Sequence, residues 1–202
     1  MGNQGITGPT GVTGAAGASA LAITQQSICG TGGTSLCKIG AQGPGGGIIF
    51  FADYYDQYSG FDYLEIAPLA CEAVKPWASD TTNSLTAVTG WAAQAVGKGQ
   101  ANTTAMLANS GSYVADTSGA AFYADGLTCG TKTDWFLGSL GEMKLAYNNL
   151  PGLGGFTYMS AYWSSTEYDA TNSWRKLFYD SVPFNEYNVK VNGNYVRPVR
   201  SF

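Results

Sequence analysis

Arg175, Lys176, Lys190, Arg197 and Arg200 crowd the last stretch of an otherwise acid-rich chain. Residues 172–202 set these five bases against Asp180 and Glu186, whereas residues 1–171 hold five bases and twelve acids. Salt screens charges beyond about 8–10 Å, so local potential governs ion binding. A net charge of −4 therefore does not forbid an oxyanion ligand at the C-terminal end. Arginine suits such a ligand because its planar fork offers paired donors. Lys132 and Lys144 flank a predicted helix and are candidate extensions of the same patch. The competing assignment is structural, since lysine and arginine on an edge sheet also discourage aggregation.

Other chemistry is less well supplied. The chain has no histidine, which removes Ser-His and Cys-His nucleophiles and the usual near-neutral general base. Cys29, Cys37, Cys71 and Cys129 contain no Cys-x-x-Cys spacing, so neither a metal site nor a cofactor is expected. An even cysteine count in a charge-poor chain fits an exported protein with two disulfides. Three pairings are open. Cys29–Cys37, closing a small glycine-rich loop, with Cys71–Cys129, closing a long one, is the favoured set. Trp135, Trp163 and Trp174 have the ring faces on which sugars stack, but strand alternation assigns them first to the core.

The elements that must position these groups follow from pattern. "GIIFFADYY" and "FDYLEIAPLAC" read as strands, and residues 83–126 as short glycine-broken helices that need packing to persist. Ser139 and Glu142 form a Ser-x-x-Glu capping box before a helix bearing Leu140, Met143 and Tyr147. "YWSSTEY", "SWRKLFYD", "EYNVKV" and "YVRPVRSF" read as strands. Asn192–Gly193 signals a two-residue hairpin, placing Lys190 opposite Tyr195 with Arg197 on the same face. Pro198 is expected to bend or bulge the last strand.

Residues 2–19 carry glycine at every third position, from Gly2 to Gly17. That spacing permits three polyproline-II-like chains to wind together. With Pro9 as its one proline, the tract makes a weak triple helix and reads as the end of a longer stalk. It is followed by a glycine-rich transition over 20–44 and a globular unit over 45–202 that holds the trimer. The triplets begin directly after Met1, so an export signal is expected upstream. No apolar run reaches the roughly 18 residues of a membrane span, so membrane insertion is not expected, and nothing points to nucleic acid.

"GGGIIFFADYY", "GKGQANT", "DWFLGSLGEMKLAYNNL", "YWSSTEYDATNSW" and "YVRPVRSF" together resemble the C-terminal heads of Legionella-type collagen-like adhesins. The resemblance covers roughly residues 45–202. It implies an α+β fold of the C-type lectin-like class, with antiparallel strands and short helices behind a collagen-like stub. It further implies a homotrimer on the bacterial cell surface. Such a head would be non-enzymatic and bind sulfated polysaccharides such as heparin or chondroitin sulfate, supporting attachment and biofilm formation. Arg175, Lys176, Lys190, Arg197 and Arg200, with Lys132 and Lys144, are the candidate sulfate contacts. The alternative is a trimerisation cap of a collagen-like stalk or phage fibre tip without polyanion binding. An enzyme of the formylglycine-generating type shares the fold class but relies on reactive cysteines. The Glu-Pro-Asn, Gln-Pro-Asp and Trp-Asn-Asp tripeptides of calcium-dependent lectins are missing, with only Glu167 and Asp169 near "YWSSTEY". Gly138 stands where the resemblance expects proline, which implies a looser turn into the capped helix.

Overall fold

The apolar run Ile48–Ala52 forms β1 and pairs antiparallel with β2, Tyr63–Ile66. This computed structural model describes residues 29–30, 33, 35–150, 152, 155–179 and 185–202; the triplets of 1–19 and the rest of the chain up to residue 28 lie outside the described residues. The described chain is α+β, with mixed strands and short helices. β2 also pairs with β8, Val199–Ser201, completing a three-stranded antiparallel sheet. Every residue of β2 is buried, Glu65 included. A buried carboxylate must find donors, and the Gly45 and Gly47 amides donate to it at 3.0 and 2.7 Å. A side chain at Gly47 would place its Cβ 1.9 Å from the Ile66 carbonyl oxygen. The "GPGGG" stretch thus lets the backbone wrap an acid.

The second sheet has the order β3-β7-β4-β5-β6. Its strands are β3 (Ala73–Lys75), β4 (Ser160–Glu167), β5 (Asn172–Phe178), β6 (Asn185–Val189) and β7 (Asn194–Val196). Neighbours are antiparallel except β4 and β7, which run parallel through Tyr162 and Tyr195.

This order corrects the expected hairpin. β6 pairs with β5 and β7 enters between β3 and β4, so Lys190 does not face Tyr195. Gly193 lacks the positive φ that a two-residue type I′ turn requires. The Tyr195 ring instead stacks on Tyr162, 5.3 Å between centroids. Pro198 separates β7 from β8, which belong to different sheets, so the strand crosses between sheets where a bend was expected.

Helices α1 (Gly90–Gln94), α2 (Gly99–Leu107) and α3 (Ala120–Asp125) have no side-chain N-cap. Packing holds them, with Met106, Ala120 and Ala124 buried against Trp77, Leu137 and Trp163. Helix α4, Leu140–Asn149, begins with the full capping box. Ser139 Oγ accepts from the Glu142 amide at 3.2 Å, and Glu142 Oε2 accepts from the Ser139 amide at 2.8 Å. α4 buries Met143 and Ala146 against Phe50, Tyr162 and Phe178. The turn before it is not loose: Gly138 is buried, and its carbonyl accepts from the Ser165 amide at 2.8 Å. A Cβ there would lie 2.9 Å from Val199.

The disulfides are Cys29–Cys37 and Cys71–Cys129, the favoured pairing. The first packs with Ile49, Ala52 and Tyr63, the second with Ala67 and Trp135. Trp163 is a core residue on β4, as strand alternation expects; Trp135 is core but lies outside the strands, and Trp174 is half-buried.

Candidate functional site

The seven candidate cations do not converge on one exposed patch. Lys190 is 0% exposed, its Nζ 2.5 Å from Oε1 of an equally buried Glu167 and 5.1 Å from the Trp77 ring centre. The Glu167 carboxylate also accepts from the Leu85 amide at 3.0 Å. Arg197 is 2% exposed; its Nε donates to the Ala67 carbonyl at 2.8 Å and its guanidinium lies 4.7 Å from the Phe156 ring centre. Arg200 donates Nε to Asp134 at 2.6 Å and brings Nη1 within 3.6 Å of Glu65. Arg175 is paired with Glu186 at 2.9 Å and donates to Asn194 Oδ1 at 2.9 Å.

The expectation of Lys176, Lys190, Arg197 and Arg200 as surface sulfate contacts is corrected by this placement, since all four are buried. The physical reason is internal demand. Carboxylates buried in the strands, Glu167 and Glu65, need compensating charge, and the C-terminal cations supply it. Asp169, the other acid near β4, spends its Oδ1 on the Thr171 and Asn172 amides at 2.8 and 2.7 Å.

Lys132 is half-buried beside the second disulfide, where its carbonyl accepts from the Trp135 indole at 3.2 Å. Lys144 and Lys176 are drawn into one neighbourhood, but Lys176 is 1% exposed. α4 lies on β5 and sets the Tyr147 ring 3.8 Å from the Lys176 ammonium. Burial, and then the Lys144 charge, hold the Lys176 ammonium below its ordinary pKa. Lys144, half-buried, is three residues from Tyr147 and four from Asn148, the spacings that share a helix face.

That face opens into a cavity of about 490 Å³ at the C-terminal end of α4, within the range of small-ligand sites. Tyr147, Leu150, Phe156, Tyr158, Phe178 and Tyr179 wall it, with Asn148 at its edge. Phe156 stacks on Phe178 at 3.8 Å, and Tyr147 meets Phe178 edge-on at 5.4 Å. The Tyr147 hydroxyl donates to the Tyr179 carbonyl at 2.7 Å, which fixes the ring. Tyr158 is 61% exposed, and the next residue, Met159, has φ 58. A left-handed non-glycine backbone costs about 1–3 kcal/mol and clusters at binding sites. Packed rings with a few polar groups at the edge can bind a flat, hydroxyl-bearing ligand.

Apart from the neighbouring Lys144 and the position of Tyr147 on its helix, sequence reasoning missed this site. Its signal is aromatic density around "GGFTYMSAYW" and "KLFYD". No family model and no curated protein matches the chain.

Proposed function

We propose that this domain is the saccharide-binding head of a collagen-stalked, trimeric bacterial surface adhesin of the C-type lectin-like class. In this reading it takes sulfated polysaccharide at the aromatic cavity at the end of α4, one helical turn from Lys144, without catalysis. The observation that carries the proposal is the cavity itself: stacked rings and the exposed Tyr158 at the end of α4, one helical turn from the half-buried Lys144. Two disulfides fit an oxidising, extracellular location. No described helix is long and apolar enough to cross a membrane. The Gly-x-y triplets supply the stalk, and three heads on one polymer would multiply a modest affinity.

Retention on immobilised heparin against its desulfated form tests this. We expect retention on the sulfated resin and release at modest salt, because none of the residues lining the cavity is a cation. Tyr158→Ala, at an exposed ring, is expected to abolish retention without changing the melting temperature, and Lys144→Ala to weaken it. Retention of both variants at wild-type strength would refute the site.

Internal engagement of Lys190, Arg197 and Arg200 favours a second reading, a trimerisation cap of a collagen-like stalk or fibre tip. A stable trimer that passes both resins at low salt would decide for it.

A further inference from the structure

The pair Asn192–Gly193 joins β6 to β7 without making the hairpin turn that its residue types favour. Both residues are exposed. The Asn192 amide donates to the Val189 carbonyl at 3.0 Å, closing a turn, and no hydrogen bond ties the Gly193 amide to any described residue. The Asn192 side chain donates Nδ2 to Asn188 Oδ1 at 2.9 Å on the surface, a modest restraint in water. A carboxamide carbon thus lies one residue before an unbonded backbone nitrogen that has no neighbouring Cβ to shield it.

Other asparagines followed by a small residue are better secured. Asn83 donates Nδ2 to both oxygens of Asp80 at 3.3 and 3.0 Å, and Asn109 Oδ1 accepts from the Ala115 amide at 2.9 Å. Asn172 donates Nδ2 to Asp169 at 3.0 Å, and the Ser173 after it is buried. All three precede serine, and Asn192 is the one asparagine in the chain that precedes glycine, the residue that lets backbone approach most closely.

We infer that Asn192 is a site of spontaneous covalent modification, deamidating in the folded domain with water as the only co-reactant. The Gly193 nitrogen gives its proton to solvent base and attacks Asn192 Cγ. A C–N bond forms, the bond from Cγ to the side-chain nitrogen breaks, and that nitrogen leaves as ammonia with a proton from solvent. Water then opens the cyclic imide at either carbonyl, giving aspartate or an isoaspartyl link in which the main chain runs through Cβ. Nothing is oxidised or reduced. Either product adds one negative charge to a net −4. The aspartyl form sets an acceptor against Asn188 Oδ1, which already accepts from the Val189 amide at 2.9 Å. The isoaspartyl form lengthens the link between Lys190, whose carbonyl accepts from the Trp77 amide at 2.7 Å, and Asn194, whose Oδ1 accepts from Arg175 at 2.9 Å. Both products are therefore less stable than the parent. The inference is independent of the saccharide reading.

Incubating the full chain at mildly alkaline pH, with ion exchange and peptide mass spectrometry over days, tests this. We expect an acidic isoform that grows in faster at higher pH, its amide-to-carboxyl mass gain confined to the peptide holding Asn192. Gly193→Ala should slow the conversion about tenfold by restricting the backbone and shielding its nitrogen. The new Cβ would lie 3.0 Å from Cγ1 of Val74, an exposed side chain that can turn aside. Asn192→Gln, which needs a larger ring, should remove the gain over the same period. Asn192→Asp, the aspartyl product made directly, should melt below the wild type. Conversion in urea but not in the folded chain would overturn the inference, as would equal conversion at Asn83, Asn109 and Asn172. Wild-type melting of Asn192→Asp would overturn the loss of stability and leave the modification standing.

Discussion

At the scale of single residues, the main lesson is where a charge can be spent. Lys190 has the residue type and chain position of a sulfate contact, but both it and Glu167 are fully buried and bonded to each other. Removing one partner of a buried pair leaves an uncompensated charge and costs about 3–5 kcal/mol, whereas replacing both with apolar groups is often neutral or stabilising. Lys190→Met is therefore expected to destabilise the domain by that amount in urea unfolding. Adding Glu167→Leu should restore most of the loss, the non-additivity expected of a coupled pair. Additive losses would show that the pair contributes nothing as a pair. A charge reversal at Lys190 would unsettle the fold before it reported on any ligand. The C-terminal cations were legible in the sequence; their partners were not. Glu167 and Lys190 are 23 residues apart, and no local pattern joins them.

At the scale of elements, the capped helix was legible because its signal is local: Ser139 and Glu142 are one turn apart and satisfy each other's amides. What the spacing could not convey is that Glu142 Oε1 also accepts from the Gly97 and Gly99 amides, at 2.8 and 3.3 Å. One carboxylate therefore ties the start of α4 to the start of α2. Its burial raises its pKa from 4.5 to about 7, with the backbone amides offsetting part of the desolvation. The sign follows from proton uptake. Between pH 4.5 and 7 the folded state binds more proton at this site than the unfolded chain does, so stability falls as pH rises through that window. Glu65 and Glu72, raised by burial, tilt the curve the same way. Glu142→Gln should flatten the slope of unfolding free energy over this range. It should also lower stability throughout by about 1–3 kcal/mol, because an amide NH₂ then faces a backbone donor. An unchanged slope would remove Glu142 from the account. The failed hairpin shows the opposite case. Asn192–Gly193 is a strong local turn signal, but the free edge of β5 and the Tyr162 ring act over longer range and send β6 and β7 to separate places.

At the scale of the whole molecule, two sheets joined through Pro198 and a set of short, mostly uncapped helices leave much of the chain without self-sufficient local structure. Long-range constraint has to supply the rest, and the disulfides do so unequally. Cys71–Cys129 spans 58 residues and encloses β3, α1, α2 and α3, whereas Cys29–Cys37 spans 8. Closing the longer loop removes more freedom from the unfolded chain, about 4 kcal/mol against about 2.5 kcal/mol in the chain-entropy account. The longer bridge also packs beside Trp135, whose indole donates to the Cys129 carbonyl at 3.1 Å, so its loss loosens the segment entering α4. Replacing Cys71 and Cys129 with alanine should therefore lower the unfolding midpoint more than replacing Cys29 and Cys37. It should also weaken heparin retention, since α4 carries Lys144 and Tyr147. The Cys29–Cys37 replacement should leave retention at the wild-type level, because its loop packs with Ile49 and Tyr63, which do not wall the cavity. Equal losses from the two variants would mean that loop length does not set the hierarchy. Retention lost in both would mean that the cavity depends on the whole fold and not on the element that bears it.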